Sequence, residues 1–329
     1  MRVALVSNAL AQPTRGNHTT IQRWIHHVNG IEIVPVPADA TTELEAPPDL
    51  VNGYHALNGG LAARRLASRY ACPLVINLGG TDLFACLQGD RAVAEVLEAA
   101  DAITGAFPAF GDRLDTCFGR PMPYATVPRG IPVPDDLPPH APGRTLHVLL
   151  PAGLRPVKDP MFAMDLAERL AERGLPLDLR ILGPELDCVY ARRIGERAAG
   201  LAFVTLGEAG PDEMPAAYRQ ADVVWNTSLH EGGSNALLEA VAQGCAVYAR
   251  DIAGNHELMH EEGAPGVLFD AADLDGAERF HRALLTETEA TRAARIANGH
   301  AWLERYHDPA AEARALERVW RSAVERSRK

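Results

Sequence analysis

Ala221-Asp222-Val223-Val224-Trp225-Asn226-Thr227-Ser228-Leu229-His230-Glu231-Gly232-Gly233-Ser234-Asn235-Ala236-Leu237-Leu238-Glu239-Ala240 decides the fold. Its first seven residues are an apolar run of strand length, two glycines break it, and Ser234 or Asn235 is suited to open a helix. Strand, glycine turn and helix together are the repeating unit of a parallel sheet. Such a turn aims unpaired backbone N–H groups and the positive helix end above the strand, which suits a phosphate or a polar sugar. Glu231 ends the strand side of the turn and Glu239 follows after seven intervening residues, two turns into the helix. Both carboxylates are expected to face one crevice, where they accept hydrogen bonds from hydroxyls.

Outward from this stretch the same alternation recurs. Apolar runs at residues 2–6, 31–36, 50–51 and 74–78 are expected as strands, with helices at 20–28 and 60–70 between them. The stretch Ile131-Pro132-Val133-Pro134-Asp135-Asp136-Leu137-Pro138-Pro139-His140-Ala141-Pro142-Gly143 then interrupts the pattern. Proline at this density excludes helix and central strand, so the segment is expected to link two domains. After it, strands are expected at 146–150, 178–182, 201–204, 223–226 and 246–249, and helices at 161–173, 189–199, 211–220 and 235–243. Two Rossmann-like α/β halves follow, and in open sheets of this kind ligands gather beyond the carboxyl ends of the strands. Two such halves facing one another make an interdomain cleft.

A chain of 329 residues with 47% hydrophobic residues has length for two domains and material for two cores. Its formal charge of −11 argues against a nucleic-acid surface, which needs a basic stripe. The five cysteines form no C-x-x-C pair, so the pattern suggests neither a zinc site nor a disulfide frame and fits a reducing cytoplasm. No stretch reaches the roughly 20 apolar residues that span a bilayer. The last segment, residues 309–329, places Leu316, Val319, Trp320 and Val324 at helical spacing, and its basic residues are read as a solvated face.

A second constellation is Gly153-Leu154-Arg155-Pro156-Val157-Lys158-Asp159-Pro160, between an expected strand and an expected helix. An arginine fork and a lysine point charge at the mouth of the same crevice as Glu231 can together neutralise a departing diphosphate without a metal. As an isolated loop, the same residues would pair with Asp159 or Glu185. Asp273-Leu274-Asp275 mimics a D-x-D metal site, yet it opens a helix, and an N-cap role for Asp273 is expected. The chain has no P-loop, no G-x-G-x-x-G after a strand and no G-x-S-x-G elbow, which removes the P-loop ATPase, dinucleotide oxidoreductase and α/β-hydrolase readings.

The order of Arg155 and Lys158, then Leu206-Gly207, then Asn226-Thr227-Ser228 ahead of Glu231 and Glu239-Ala240, then Gly244-Cys245-Ala246-Val247 and Ile252-Ala253-Gly254-Asn255, resembles the C-terminal half of GT-B glycosyltransferases of family 4. The signature of that family is the E-x7-E pair. The resemblance implies that Glu231 contacts sugar hydroxyls, that Glu239 contacts a ribose, and that Arg155 and Lys158 bind the diphosphate. Gly232, Gly233, Ser234 and Asn235 supply the turn between them. In the first half, Arg15-Gly16-Asn17-His18-Thr19-Thr20, His55-Ala56 and Gly79-Gly80-Thr81-Asp82-Leu83 resemble two small branches of the family, the bacterial selenosugar synthases and the glycosyltransferase-1-domain-containing proteins. After Asn255 the chain departs from the tyrosine-rich segment of the selenosugar synthases and runs His260-Glu261-Glu262-Gly263-Ala264-Pro265-Gly266.

Gly16-Asn17 suits close approach to a diphosphate, or an ordinary strand-to-helix turn. His55 suits a hydrogen bond to a sugar hydroxyl or polarisation of the acceptor, or a satisfied structural group. Asp82 is read as a loop-closing Asx residue or as a carboxylate that orients His55 or the acceptor.

The resulting expectation is a GT-B enzyme with residues 1–135 as acceptor domain, residues 144–305 as nucleotide-sugar domain, and a helix over about 306–329 packing back onto the first. Catalytic candidates are His55, Asp82 and Glu231. The donor is a UDP-sugar, with UDP-N-acetylglucosamine the first candidate, and the acceptor a small molecule, selenophosphate among the options. No cofactor is called for, and family 4 implies retention at the anomeric carbon. Other acceptors, a UDP-N-acetylglucosamine epimerase and a non-catalytic nucleotide-sugar binder are the rivals.

Overall fold

Apolar runs that cannot expose either face become the strands of two parallel sheets, because only a parallel sheet covered on both sides by helices buries them completely. A computed structural model describes residues 1–11, 16–39, 43–137 and 143–328, so Arg15 and residues 138–142 of the proline-rich stretch lie outside the described residues. The chain divides into one unit of Met1–Gly130 with His307–Lys329 and another of Ile131–Tyr306.

The first unit contains β1 (Arg2–Ser7), β2 (Glu32–Pro37), β3 (Leu50–Tyr54), β4 (Leu74–Asn77), β5 (Ala102–Gly105) and β6 (Tyr124–Thr126), in the order β2-β1-β3-β4-β5-β6. All neighbours pair parallel, with Val3 opposite Leu50 and Val51 opposite Leu74. The order reverses between β1 and β3, and at that point the chains leaving the two strands diverge and open a crevice.

Helix Pro309–Ser327 returns to this sheet, placing Leu316, Trp320 and Val324 in a core with Ile21, Trp24 and Tyr54. Trp320 Nε1 donates to Asn52 Oδ1 at 2.7 Å, and Asn52 Nδ2 donates to Asn77 Oδ1, so the buried indole and the Asn52 amide are both satisfied. Glu312 on the same helix is 1% exposed. It accepts from Arg23 Nε at 2.5 Å, from Arg23 Nη2 at 3.0 Å and from Trp24 Nε1 at 2.9 Å.

The second unit contains β7 (Leu146–Pro151), β8 (Leu177–Leu182), β9 (Val204–Gly207), β10 (Val223–Asn226), β11 (Ala246–Arg250) and β12 (Val267–Phe269), in the order β12-β11-β10-β7-β8-β9. All pairs are again parallel, and the reversal lies between β7 and β10. The expected strand at residues 201–204 is displaced. Leu201 instead closes the preceding helix through its N–H to Ala198 O, and the strand begins at Val204 and carries the exposed Thr205 and Leu206. As the edge of its sheet β9 needs little apolar sequence, so hydrophobicity marked the wrong residues.

Within the mainly aliphatic core of this unit lies an aromatic cluster, with Tyr248 stacked on Phe269 at 4.4 Å between ring centroids and Trp225 Nε1 donating to His281 Nε2 at 2.8 Å. Because His281 Nε2 accepts that bond, its hydrogen sits on Nδ1 and is donated to Ala277 O. Burial pushes the His281 imidazole down from 6.5 to about 4. The unfolded chain therefore binds this proton first. The contribution to stability is complete above pH 6.5 and declines by about 1.4 kcal/mol per pH unit as the pH falls toward 4. Urea unfolding between pH 7 and 5 is expected to show that slope, and His281→Gln to flatten it.

Candidate functional site

The reversal between β7 and β10 places two loops side by side above the second sheet. The loop after β7 runs through Arg155 into a single 3-10 turn, Pro156–Lys158, and ends at Asp159, whose φ of 48° is left-handed. That conformation is costly for a non-glycine residue and is held by several contacts. Asp159 Oδ1 caps helix Pro160–Glu172 through Phe162 N at 3.3 Å, and Asp159 Oδ2 accepts from Arg250 Nη2 at 2.8 Å. The loop after β10 grips the same turn, since Thr227 Oγ1 lies 2.9 Å from Lys158 O and Leu229 N lies 2.8 Å from Val157 O. Cationic and acidic loops are thus fastened backbone to backbone before any side chain meets a ligand.

Lys158 and Glu231 are brought together. Lys158 Nζ donates to Glu231 Oε1 at 2.6 Å, and the same oxygen accepts from Ser228 Oγ at 2.6 Å and Asn226 Nδ2 at 3.2 Å. Burial alone would push the Glu231 carboxyl up. The Lys158 charge and the hydrogen bonds from Lys158, Ser228 and Asn226 outweigh it and hold the group below its ordinary value. Glu231 is therefore a carboxylate at neutral pH, suited to accept hydrogen bonds and to fix a cation rather than to take up a proton.

Gly232, Gly233 and Ser234 are buried in the turn that follows, and Gly233 has a φ of +95°, which a side chain would strain. Asn226 Nδ2 also donates to Ser234 Oγ at 3.2 Å, tying strand end to helix start, and helix Asn235–Ala242 begins directly after. A Cβ added at Gly254 would meet Glu231 O at 2.1 Å, so the chain after β11 presses directly on the acidic loop. Asn255 Nδ2 completes the ring by donating to Asn226 Oδ1 at 3.2 Å.

Arg155 and Glu239 are the remaining charged candidates of this unit. Arg155 is half-buried at the start of the turn, and its carbonyl oxygen accepts the Lys158 N–H at 3.1 Å. Glu239 lies one helix turn below Asn235, not two turns in as expected, because the helix starts only at Asn235, and it meets Tyr218, whose Oη donates to Glu239 Oε2 at 2.7 Å. Burial first, then the Glu239 charge and the hydrogen bond to it, hold the Tyr218 phenol well above its ordinary value, so it stays a donor. Tyr218 and Arg250 were not singled out by sequence, and Ser228 and Asn255 entered only as motif positions without a role. Asn226-Thr227-Ser228 and Ile252-Ala253-Gly254-Asn255 were the available signals, and Tyr218 offers none, because its partner lies on another helix.

In the first unit, His55 follows β3 beside the reversal, with a φ of 68°. Asn58 N donates to His55 Nδ1 at 3.3 Å, which assigns the ring hydrogen to Nε2, 2.8 Å from Thr81 Oγ1. Asp82 is 0% exposed. Its Oδ1 accepts from Gly79 N at 2.8 Å and Leu83 N at 3.0 Å, its Oδ2 accepts from Ala56 N at 2.8 Å, and Oδ2 lies 3.8 Å from His55 Nδ1. Three backbone donors make Asp82 the fastening between the segments after β3 and β4. Gly16 and Asn17 open helix Gly16–His27 beyond the carboxyl end of β1. Asp273 is a helix cap, accepting from Gly276 N at 2.7 Å.

Residues 146–287 match the family model described as Glycosyl transferases group 1. A Xenopus tropicalis protein named Glycosyltransferase 1 domain-containing protein 1 is 27% identical over 323 residues, covering 88% of this chain and 92% of its own length. Among solved structures, sucrose-phosphate synthase from Thermosynechococcus elongatus superposes with a TM-score of 0.77 at 14% identity, over 99% of this chain and 100% of that one. Anabaena HepE in complex with UDP and glucose superposes with a TM-score of 0.75 at 15% identity, over 98% of this chain and 99% of that one. The chain thus has the GT-B fold, and the match over residues 146–287 together with the Xenopus relative supports a glycosyltransferase.

Proposed function

We propose that the protein transfers a sugar from a UDP-sugar to a small acceptor, with the donor seated on the second unit. One observation carries the reading: Lys158 and Glu231, 73 positions apart, meet at 2.6 Å above the reversal between β7 and β10, in front of a glycine turn that opens a helix. HepE, of the same fold, has been captured with UDP-glucose, and that supports uridine as the donor nucleoside. As the bond to the sugar breaks, negative charge builds on the leaving diphosphate. Lys158, Arg155 and the amides around Gly232 and Gly233 are the groups that would stabilise it, in a setting where fixed charges act without reorganising. Glu231 then accepts hydrogen bonds from the sugar and Glu239 from the ribose. Gly16 and Asn17 are read as further contacts to the donor diphosphate, while His55 and Asp82 shape the acceptor side, His55 through the ring that Thr81 orients. Retention at the anomeric carbon, metal independence and a cytoplasmic setting belong to the same reading, as does selenophosphate among the acceptors. N-acetylglucosamine heads the sugar panel and glucose, the sugar in the HepE complexes, stands beside it.

The test is incubation of purified protein with UDP-, GDP- and ADP-sugars together with selenophosphate, thiophosphate or cell extract, followed by mass spectrometry. Release of UDP that requires an acceptor is expected. Conversion of the sugar without any acceptor would instead mark an epimerase, and tight UDP binding without a product would mark a binding protein.

A further inference from the structure

We propose that Tyr218 is a positioning residue for Glu239, holding its carboxylate in the orientation that meets the ribose of the donor. The proposal rests on the reading of Glu239 as the ribose contact and adds a residue which that reading does not contain.

Tyr218 lies near the end of helix Met214–Arg219, a single short helix that could not persist by its own hydrogen bonds. Two side-chain rungs fasten it to the glutamate-bearing helix. Tyr218 Oη donates to Glu239 Oε2 at 2.7 Å, and Arg219 Nη1 donates to Gln243 Oε1 at 2.9 Å. Glu239 and Gln243 are one turn apart, so the two rungs meet one face. From behind, Cys245 Sγ donates to Tyr218 O at 3.0 Å, which fixes the backbone from which the ring projects.

Tyr218 is 2% exposed. For packing alone a phenylalanine would serve there, since a buried hydroxyl is costly unless it is bonded. Its partner is a half-buried carboxylate on a flexible stem. A glutamate that must receive a hydroxyl pair loses rotamer freedom on binding, and a bond from a rigid buried phenol removes that loss in advance. Tyr218 itself need not touch the ligand. Its effect is transmitted through the plane of one carboxylate, and it follows that the effect belongs to the ribose hydroxyls alone.

The experiment measures binding of UDP and of 2′,3′-dideoxy-UDP to the full chain as wild type, Tyr218→Phe, Glu239→Ala and the double variant. Tyr218→Phe is expected to weaken UDP about tenfold and the dideoxy ligand by less than about twofold, and to add nothing in the Glu239→Ala background. A general packing defect would instead weaken both ligands equally, and that result overturns the proposal. So does wild-type UDP affinity in Tyr218→Phe where Glu239→Ala has lost it. Unchanged UDP binding in Glu239→Ala overturns the donor reading itself, and the two failures are distinct. Should Tyr218→Phe not fold, a crystal structure of the wild type with UDP reads the same point. Tyr218 Oη is expected to remain on Glu239 while that carboxylate meets the ribose, and a Glu239 swung away from Tyr218 to reach it overturns the proposal.

Discussion

Glu312→Ala is expected to lower the stability of the first unit by about 3–5 kcal/mol, because it leaves the Arg23 guanidinium buried without its counter-charge. Arg23 and Glu312 have side chains 5% and 2% exposed, joined by two parallel hydrogen bonds, and Trp24 Nε1 loses its acceptor in the same stroke. The pair joins positions 289 residues apart in sequence, so its loss is a loss of closure between the two ends of the unit. Hydrogen exchange should show protection vanishing together in Gly16–His27 and Pro309–Ser327, while the sheet of β7–β12 keeps its own. Arg23→Met is expected to be equally damaging, whereas the double replacement Arg23→Met with Glu312→Leu recovers most of the loss. Urea unfolding of the variants checks all three. A change below about 1 kcal/mol in either single variant would be the size expected of an exposed ion pair and would contradict the burial.

The second large effect is on the reaction. Lys158→Ala should reduce kcat/KM with the UDP-sugar tenfold to a hundredfold, roughly the 1.5–3 kcal/mol of a charge-assisted contact. It should also change how Glu231 responds to pH. In the wild type the bonded carboxylate sits below its ordinary value, so its contribution is present above that ordinary value and fades only as pH falls through the depressed one. Without Lys158 the burial that pushes this group up is opposed by Ser228 and Asn226 alone. The acid limb of donor binding is then expected to move to higher pH in Lys158→Ala, read from Kd for the UDP-sugar between pH 4.5 and 8. Wild-type rates with an unmoved acid limb would dismantle the site.

The acidic part of the knot, from Asn226 to Ser234, was legible in sequence because it is contiguous: a buried strand, a glycine turn and a helix in one run of residues, whose period and breakers need no tertiary information. The parallel sheets were visible for a related reason, since largely buried strands such as Leu146–Pro151 and Val223–Asn226 are mostly apolar, with His147 and Asn226 as their polar members. The short strands Ala102–Gly105, Tyr124–Thr126 and Val267–Phe269 were not, as three or four residues carry too little pattern. Nor was helix 211–220 legible at its start, because Pro211 and Asp212 form a turn and the helix begins at Met214. Tyr218 was hidden for a deeper reason. Its chemistry consists of one hydrogen bond across 21 positions, between helices whose docking the sequence does not display. Asp82 shows the converse: a loop carboxylate offered two roles in sequence, and only the three amides pointing at it reveal how far the fastening role occupies it.

The return of Pro309–Ser327 to the first sheet has a consequence for biosynthesis. Translation proceeds at about 5–20 residues per second, so roughly ten to thirty-five seconds separate emergence of Gly130 from that of the helix which completes its unit. During that interval the nascent sheet presents Tyr54, Trp24 and Ile21 to solvent without Trp320 and Leu316 above them. Ile131–Tyr306 meanwhile has all its own strands in hand and can mature on the ribosome. The order of maturation is thus inverted relative to the order of synthesis, and the segment made first is the one whose apolar face stays uncovered longest.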